Sequence, residues 1–271
     1  MTVTLQPAKT LAKKMDKPAI DASKAYRSAR TALLTEEIEL RRHIERVAEQ
    51  RRALPPGPAV REDYIFEGLG MDGKPSKVKL SELFREGTDA LLIYNYMFPR
   101  HKSDTRAPAT SGETSKLPVK DQPCPSCTGL LDQLNGAASH FEAGGGNFAV
   151  VANTALSNLL GVARDRGWTN LRMLASAGRG FKRDHHAEVD GQQQPMTLVF
   201  RRDQSGTIRL FWASDLVWTD SDPGQDPRAA GTIEPFWNMF DLMPGGRPDF
   251  REQLQYDCCS DARVMTLGDR K

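Results

Sequence analysis

The sequence predicts an α/β sandwich, three layers built around a mixed central sheet, with one long helix added at the N-terminus. Three observations predict it. Apolar runs at Ala90–Phe98 and Phe148–Ala152 alternate with helical stripes, as covered parallel strands and their crossover helices require. Two later runs, Thr197–Phe200 and Thr207–Trp212, flank the turn Asp203-Gln204-Ser205-Gly206 and read as an antiparallel hairpin. Over residues 22–56, apolar side chains recur at helical spacing among Glu and Arg, until Pro55, Pro56 and Pro58 stop them.

In chain order, residues 1–21 are polar, carry Pro7 and Pro18, and read as a flexible arm. The 22–56 helix places Leu33, Leu34, Ile38, Leu40, Ile44 and Val47 at helical spacing. That stripe suits a solvated helix laid against the body, with a homodimer contact as the alternative. The main domain then spans 57–250. Tyr64-Ile65-Phe66 is a short strand, Asp72-Gly73-Lys74 a hairpin turn, and Val78–Phe84 a strand running into a short helix. Ala90–Phe98 comes next as the central strand. Residues 99–123 interrupt the pattern with Arg, Lys, Ser, Thr, Gly and Pro. A loop insertion of this length is either a lid over the cysteines it leads to or a disordered excursion. Leu130, Leu131, Leu134, Ala137, Ala138 and Phe141 then mark a helix that Gly144–Gly146 ends. The strand 148–152, a helix over 154–166, a short strand over 171–174, the hairpin and a helix over 231–242 complete the domain. Residues 251–271 read as a polar tail.

The totals narrow the function. With 271 residues the chain can bury a core, and 39% apolar and 27% charged residues suit a globular body with polar additions. A net charge of +2, with basic and acidic residues interleaved, argues against nucleic acid as partner. No apolar window is long enough for a membrane span, and residues 1–17 hold no apolar core before a cleavage site. A cytoplasmic location is expected.

There are four cysteines, Cys124, Cys127, Cys258 and Cys259. Two close pairs in a chain expected to be intracellular suggest chemistry rather than stapling. In Cys124-Pro125-Ser126-Cys127 the pair follows an apolar strand through a loop and opens a helix. There the unpaired N–H groups and the positive end of the dipole favour thiolate over thiol. Pro125 stands at the first helical position, where a missing N–H costs nothing. Cys127, one turn in, is within disulfide reach, so Cys124 is the expected nucleophile and Cys127 the resolving thiol. A zinc site needs two further ligands, and His101, His140, His185, His186 and Cys258-Cys259 stand at no familiar spacing. No metal site is expected.

Other residues invite a role. His185 and His186 read as solvated loop histidines, with a place near the thiols as the alternative. Asp132 and His140 read as the polar face of the CxxC helix. Trp212, Trp218 and Trp237 read as packing residues, and 220–227 as a proline-anchored turn. Cys258 and Cys259 read as unpaired thiols of the tail, a shuttle pair being the alternative.

Taken together, Ala90–Phe98, Cys124-Pro125-Ser126-Cys127-Thr128, Arg166-Gly167-Trp168, Pro195–Phe200 and Trp237–Pro244 resemble the DUF899 family over residues 25–250. The resemblance implies a thioredoxin-like fold and dithiol–disulfide oxidoreductase activity. The chain departs from ordinary thioredoxins in having no Trp before Cys124 and no Gly-Pro between the cysteines. Pro195–Phe200 also resembles the thioredoxin segment in which a cis-proline opens a core strand opposite the dithiol. That implies a cis bond at Pro195, with Gln194 offering its backbone to an extended substrate, and Pro125 and Ser126 beside them.

The expected function is thus a thioredoxin-like thiol–disulfide oxidoreductase acting on a protein or small-molecule disulfide, with an external dithiol as reductant. No organic cofactor is implied, because no Gly-rich dinucleotide or phosphate loop is present. The alternatives are a peroxide reductase using Cys124, for which Asp72–Lys74 and Leu80–Leu83 resemble peroxiredoxin-like members of the superfamily, and a non-catalytic binding module.

Overall fold

A computed structural model describes residues 5–15, 21–176 and 180–256, and the chain divides into two compact units, Met1–Pro55 and Pro56–Lys271. In the first unit, α1 (Ala8–Lys13) lies on α2 (Lys24–Arg52). Ala8 and Ala12, one turn apart, close on Ile38, with Leu11 and Leu34 at the margin. The arm expected over 1–21 therefore contains a helix. Six residues are too few for a periodic pattern, and only packing makes such a helix stable. Ser23 caps α2 by accepting the Tyr26 N–H, and Arg51 and Arg52 complement its C-terminal dipole.

The second unit carries a seven-stranded sheet. Strands β1 (Ile65–Leu69) and β2 (Pro75–Lys79) form an antiparallel hairpin whose turn holds Gly73 at φ +74°. Then come β3 (Ala90–Tyr96), α3 (Pro125–Ala143), β4 (Phe148–Ala152), α4 (Leu156–Arg166) and β5 (Met173–Ala175). Helix α5 (Gly180–Asp184), the small ribbon β6 (Glu188–Val189) and β7 (Gln192–Gln193), β8 (Thr197–Arg202), β9 (Ile208–Ala213) and α6 (Pro235–Asp241) complete the unit. Across the sheet the order is β2-β1-β5-β4-β3-β8-β9. Strands β3, β4 and β5 are parallel, and β8 and β9 return antiparallel at one side. This is the α/β sandwich around a mixed central sheet that the sequence predicts.

Alternation along the central strands builds the two cores. Tyr94, Tyr96, Val150 and Ala152 face α3 and α4, where they meet Cys127, Leu131, Leu159 and Val162. Ile93, Ala149 and Val151 face the other way, against Leu80, Leu83, Phe181 and Phe200. Helix α6 starts at Pro235, later than the pattern places it, because proline at the first helical position sets the start.

Residues 99–123 are neither disordered nor structureless. Short 3-10 turns form at Thr114–Lys116 and Val119–Asp121. Arg100 is buried and ties the base of the loop, its N–H donating to the Gln122 carbonyl at 2.8 Å and Nη1 to the Arg106 carbonyl at 3.0 Å. At the far end the Asp165 carboxylate of α4 accepts from the Glu113 N–H (2.8 Å), the Thr114 N–H (2.7 Å) and the Thr114 hydroxyl (2.6 Å). Gly112, at φ +76°, makes room: a Cβ there would stand 2.5 Å from that carboxyl. Asp165→Ala is expected to cost about 1–3 kcal/mol, since it leaves the buried Thr114 donors without partners. Urea unfolding that shows no change would mean water replaces the carboxylate without loss.

Candidate functional site

The dithiol stands where β3 hands over to α3. Beyond β3 the Met97 carbonyl accepts the Cys124 N–H at 2.9 Å, so the insertion leaves and rejoins the sheet at one point. Cys124 is the N-cap of α3 and Pro125 its first residue. Thr128 fixes the cap from inside: its N–H and hydroxyl both donate to the Cys124 carbonyl, at 3.0 and 2.9 Å. Tyr96 holds the Thr128 hydroxyl at 2.7 Å. Cys124 and Cys127 approach to 3.6 Å, both as free thiols, and are only 5% and 3% exposed.

Their surroundings make the two sulfurs unequal. The Cys124 pKa falls to about 6, chiefly because the Cys127 side chain hydrogen-bonds to it. The Cys127 backbone and the Arg106 charge add to this against the cost of burial. Arg106 Nη2 lies 3.5 Å from the Cys124 sulfur. Burial, followed by the neighbouring Cys124, pushes the Cys127 thiol up, while the Tyr94 hydroxyl hydrogen-bonds to it and partly opposes the rise. Tyr94, fully buried, has its own pKa raised, first by burial and then by Cys127. One thiol is thus poised to ionise near neutrality, and its partner keeps its proton.

Arg106 comes from the insertion and is held rigidly. Its Nε and Nη2 meet the Asp104 carboxylate at 2.9 and 2.6 Å; against burial, which pushes each the other way, this bidentate pair and the charges around it raise the Arg106 pKa and lower that of Asp104. Nη1 donates to the Ser126 hydroxyl at 2.7 Å and to the Glu252 carbonyl at 3.2 Å. The Ser126 hydroxyl donates in turn to the Glu252 carboxylate at 2.9 Å. Residues 251–256, expected to open a polar tail, instead pack here: Glu252 and Leu254 are buried, and Arg166 Nη1 donates to the Leu254 carbonyl at 2.7 Å.

Above the sulfurs lies a cavity of about 410 Å³, walled by Pro195, Pro227, Trp237, Phe250 and Glu252, with Glu234 at its side. Burial, and then the Glu252 and Asp226 charges, lift the Glu234 carboxyl to about 7. Lys182 is fully buried, its Nζ donating to the Tyr96 carbonyl (2.6 Å) and Gln193 Oε1 (2.7 Å). Burial drops its pKa to about 7.

The expected substrate residues divide. Pro195 lines the cavity with both cysteines, as does Ser126, whereas Pro125 and Gln194 do not. The cis bond expected at Pro195 is not there; among the described residues the cis peptide is Phe98–Pro99. Chain direction at Pro195 is set by pairing, since the next residue already joins the sheet: the Met196 carbonyl accepts both the Asn95 N–H (2.8 Å) and Nδ2 (3.0 Å). Gln194 is spent internally, its N–H on the Ala187 carbonyl and its carbonyl on the Met196 N–H, both at 2.9 Å.

His185, expected to be solvated, packs against the rings of Tyr64, Phe181 and Phe200, and burial lowers its pKa. Asp132 is no mere polar face: it accepts from Arg166 Nε at 3.0 Å and Trp168 Nε1 at 2.8 Å, clamping α3 to the end of α4. Trp237 is a cavity wall, and Trp218 is about half exposed. Cys258 and Cys259 lie outside the described residues. Among the described residues no three His, Cys, Asp or Glu side chains are grouped to hold a metal ion, and no helix is long and apolar enough to cross a membrane. Sequence reasoning misses Arg106, Asp104, Glu234, Glu252, Tyr94 and Lys182 as parts of the site. A Tyr in the apolar run of β3 is the one accessible hint among them.

A family model described as "Bacterial protein of unknown function (DUF899)" matches residues 15–261. No curated protein matches the chain in sequence. Among solved structures, a mitochondrial 2-Cys peroxiredoxin from Plasmodium falciparum is 12% identical, with 73% of this chain and 100% of that chain covered and a TM-score of 0.38. A thioredoxin-family thiol:disulfide interchange protein from Chlorobium tepidum is 18% identical over 68% and 97%, with a TM-score of 0.34. Reduced Prx3 from Vibrio vulnificus, in complex with hydrogen peroxide, is 12% identical over 66% and 96%, with a TM-score of 0.39.

Proposed function

This chain belongs to the DUF899 family, and we propose that it is a thiol–disulfide oxidoreductase in which Cys124 attacks and Cys127 resolves. The observation that carries the reading is the unequal pair: two buried thiols 3.6 Å apart, one lowered to about 6 and the other raised. In the first step the Cys124 thiolate attacks one sulfur of a substrate disulfide, and the other sulfur leaves as a thiolate that takes a proton. In the second, Cys127 loses its proton and attacks the Cys124 sulfur of the mixed disulfide. The substrate's second thiol leaves, and the two electrons have passed from the dithiol to the substrate. An external dithiol restores Cys124 and Cys127 by the reverse exchange.

The surrounding residues fit these roles. Arg106 stabilises the attacking thiolate by charge, and the Asp104, Ser126 and Glu252 contacts keep its fork in place. Tyr94 orients Cys127 and supports its negative charge during the second attack. Pro195 walls the substrate cavity with a side chain that offers no competing donor.

The test is oxidation of the reduced protein by a stoichiometric small disulfide, followed by peptide mapping. One intramolecular Cys124–Cys127 disulfide, reversed by dithiothreitol, is the expected product. Both thiols remaining free would leave a binding module. Faster stoichiometric oxidation by hydrogen peroxide than by disulfide would move the assignment to a peroxide reductase.

A further inference from the structure

We propose that the disulfide this site accepts is a low-molecular-weight one rather than a disulfide within a protein chain, a proposal that rests on the oxidoreductase reading above. Attack on a disulfide requires the nucleophile, the attacked sulfur and the leaving sulfur to lie in line, so the whole S–S unit must come down to Cys124. Here Cys124 is the floor of a cavity, 5% exposed, rather than a knob on a surface. The walls come from the far end of the chain: Pro227, Trp237, Phe250 and Glu252. They are fastened to the dithiol helix itself. Ser126, between the two cysteines, donates to the Glu252 carboxylate at 2.9 Å, and Arg106 donates to the Glu252 carbonyl at 3.2 Å. Phe236 N–H donates to Gln133 of α3 at 2.7 Å and holds α6 in place above the helix.

A protein substrate would need a second feature, a backbone edge along which an extended chain can pair. The segment before β8 is where such an edge would face the thiols. Its groups are already used: Gln194 N–H on Ala187, Gln194 carbonyl on Met196 N–H, and Met196 carbonyl on Asn95 twice. The backbone groups of Gln194 and Met196 are thus engaged within the protein rather than offered to a passing chain. A cavity of about 410 Å³ is at the low end for small-ligand sites, and its Trp237 and Phe250 walls suit the short arms of a small disulfide R–S–S–R. The balance is simple. Cys124 and Cys127 give two electrons and two protons, R–S–S–R becomes two R–SH, and the protein disulfide remains.

The experiment uses the full-length reduced protein, with no other reductant, against hydroxyethyl disulfide and against insulin at equal disulfide concentration. Formation of the Cys124–Cys127 disulfide is followed by peptide mapping of quenched samples, which keeps Cys258 and Cys259 out of the readout, and each rate is divided by that of dithiothreitol with the same disulfide. The normalised rate with hydroxyethyl disulfide is expected to exceed that with insulin by roughly a hundredfold. A ratio near unity overturns the substrate class and leaves the oxidoreductase reading intact. Thiols that neither disulfide oxidises overturn both.

Discussion

Cys124→Ser is expected to bring disulfide exchange down to the background rate, while Cys127→Ser is expected to retain the first attack and stop there. The asymmetry follows from the ionisation of the pair. The thiolate is the nucleophile, and Cys124 alone has surroundings that hold its pKa near 6. A serine at 124 offers a hydroxyl that no neighbour can ionise. A serine at 127 leaves Cys124 intact and still offers it a hydrogen-bond donor, but it cannot attack the mixed disulfide. Peptide mapping after exposure to hydroxyethyl disulfide should find a mercaptoethanol adduct on Cys124 in Cys127→Ser, and none on Cys127 in Cys124→Ser. Equal trapping by both variants would reverse or abolish the assigned roles. Circular dichroism of both variants separates loss of chemistry from loss of fold, because Cys127 is also a core residue against Leu131 and Val150.

The parts of this molecule that sequence makes legible are those whose cause is local. Alternation in Ala90–Tyr96 and Phe148–Ala152 carries a two-faced central sheet, and the proline after Cys124 marks a helix start. The closeness of the dithiol is readable for the same reason: three residues of spacing at a helix start bring two sulfurs together. Its surroundings are not. Arg106 lies 18 residues before Cys124 in a segment with no apolar period, and Glu252 reaches Ser126 across 126 residues. Neither carries a mark in its own neighbourhood that distinguishes it from the other charged residues of the chain. Sequence order alone cannot tell a half-buried, tightly held Arg in an insertion from a solvated one, because its partners are set by tertiary packing.

Pro195 and the two neighbouring histidines show the same limit. The residues around Pro195 point to a cis bond, but the geometry there follows from how Met196 pairs with Asn95. His185 and His186 look alike in a polar stretch. Yet α5 turns His185 into an aromatic cluster and leaves His186 at φ +56°. Position along the chain places each of these residues near the right element, and the packing of that element decides its role.

The pH profile of Cys124 alkylation should separate the causes of its low pKa. With iodoacetamide, a small reagent that enters the cavity, the wild-type rate should rise with thiolate fraction and reach half its plateau near pH 6. The dominant cause is the hydrogen bond from Cys127, and the Arg106 charge comes after it. Both act on the thiolate and not on the thiol, so removing either must move the midpoint up. Arg106→Met should raise it by about one unit, which leaves about fivefold less thiolate at pH 6. Cys127→Ala, which deletes the side-chain donor, should raise it further than Arg106→Met does. Each variant must lose reactivity most at acid pH and converge with wild type where every thiol is ionised. If Arg106→Met moved the midpoint more than Cys127→Ala, the charge and not the partner thiol would set the ionisation of Cys124. A midpoint that neither variant moved would leave the helix N-terminus alone as its cause. The ordering Cys127→Ala above Arg106→Met above wild type is thus the outcome that a mutually polarised dithiol requires.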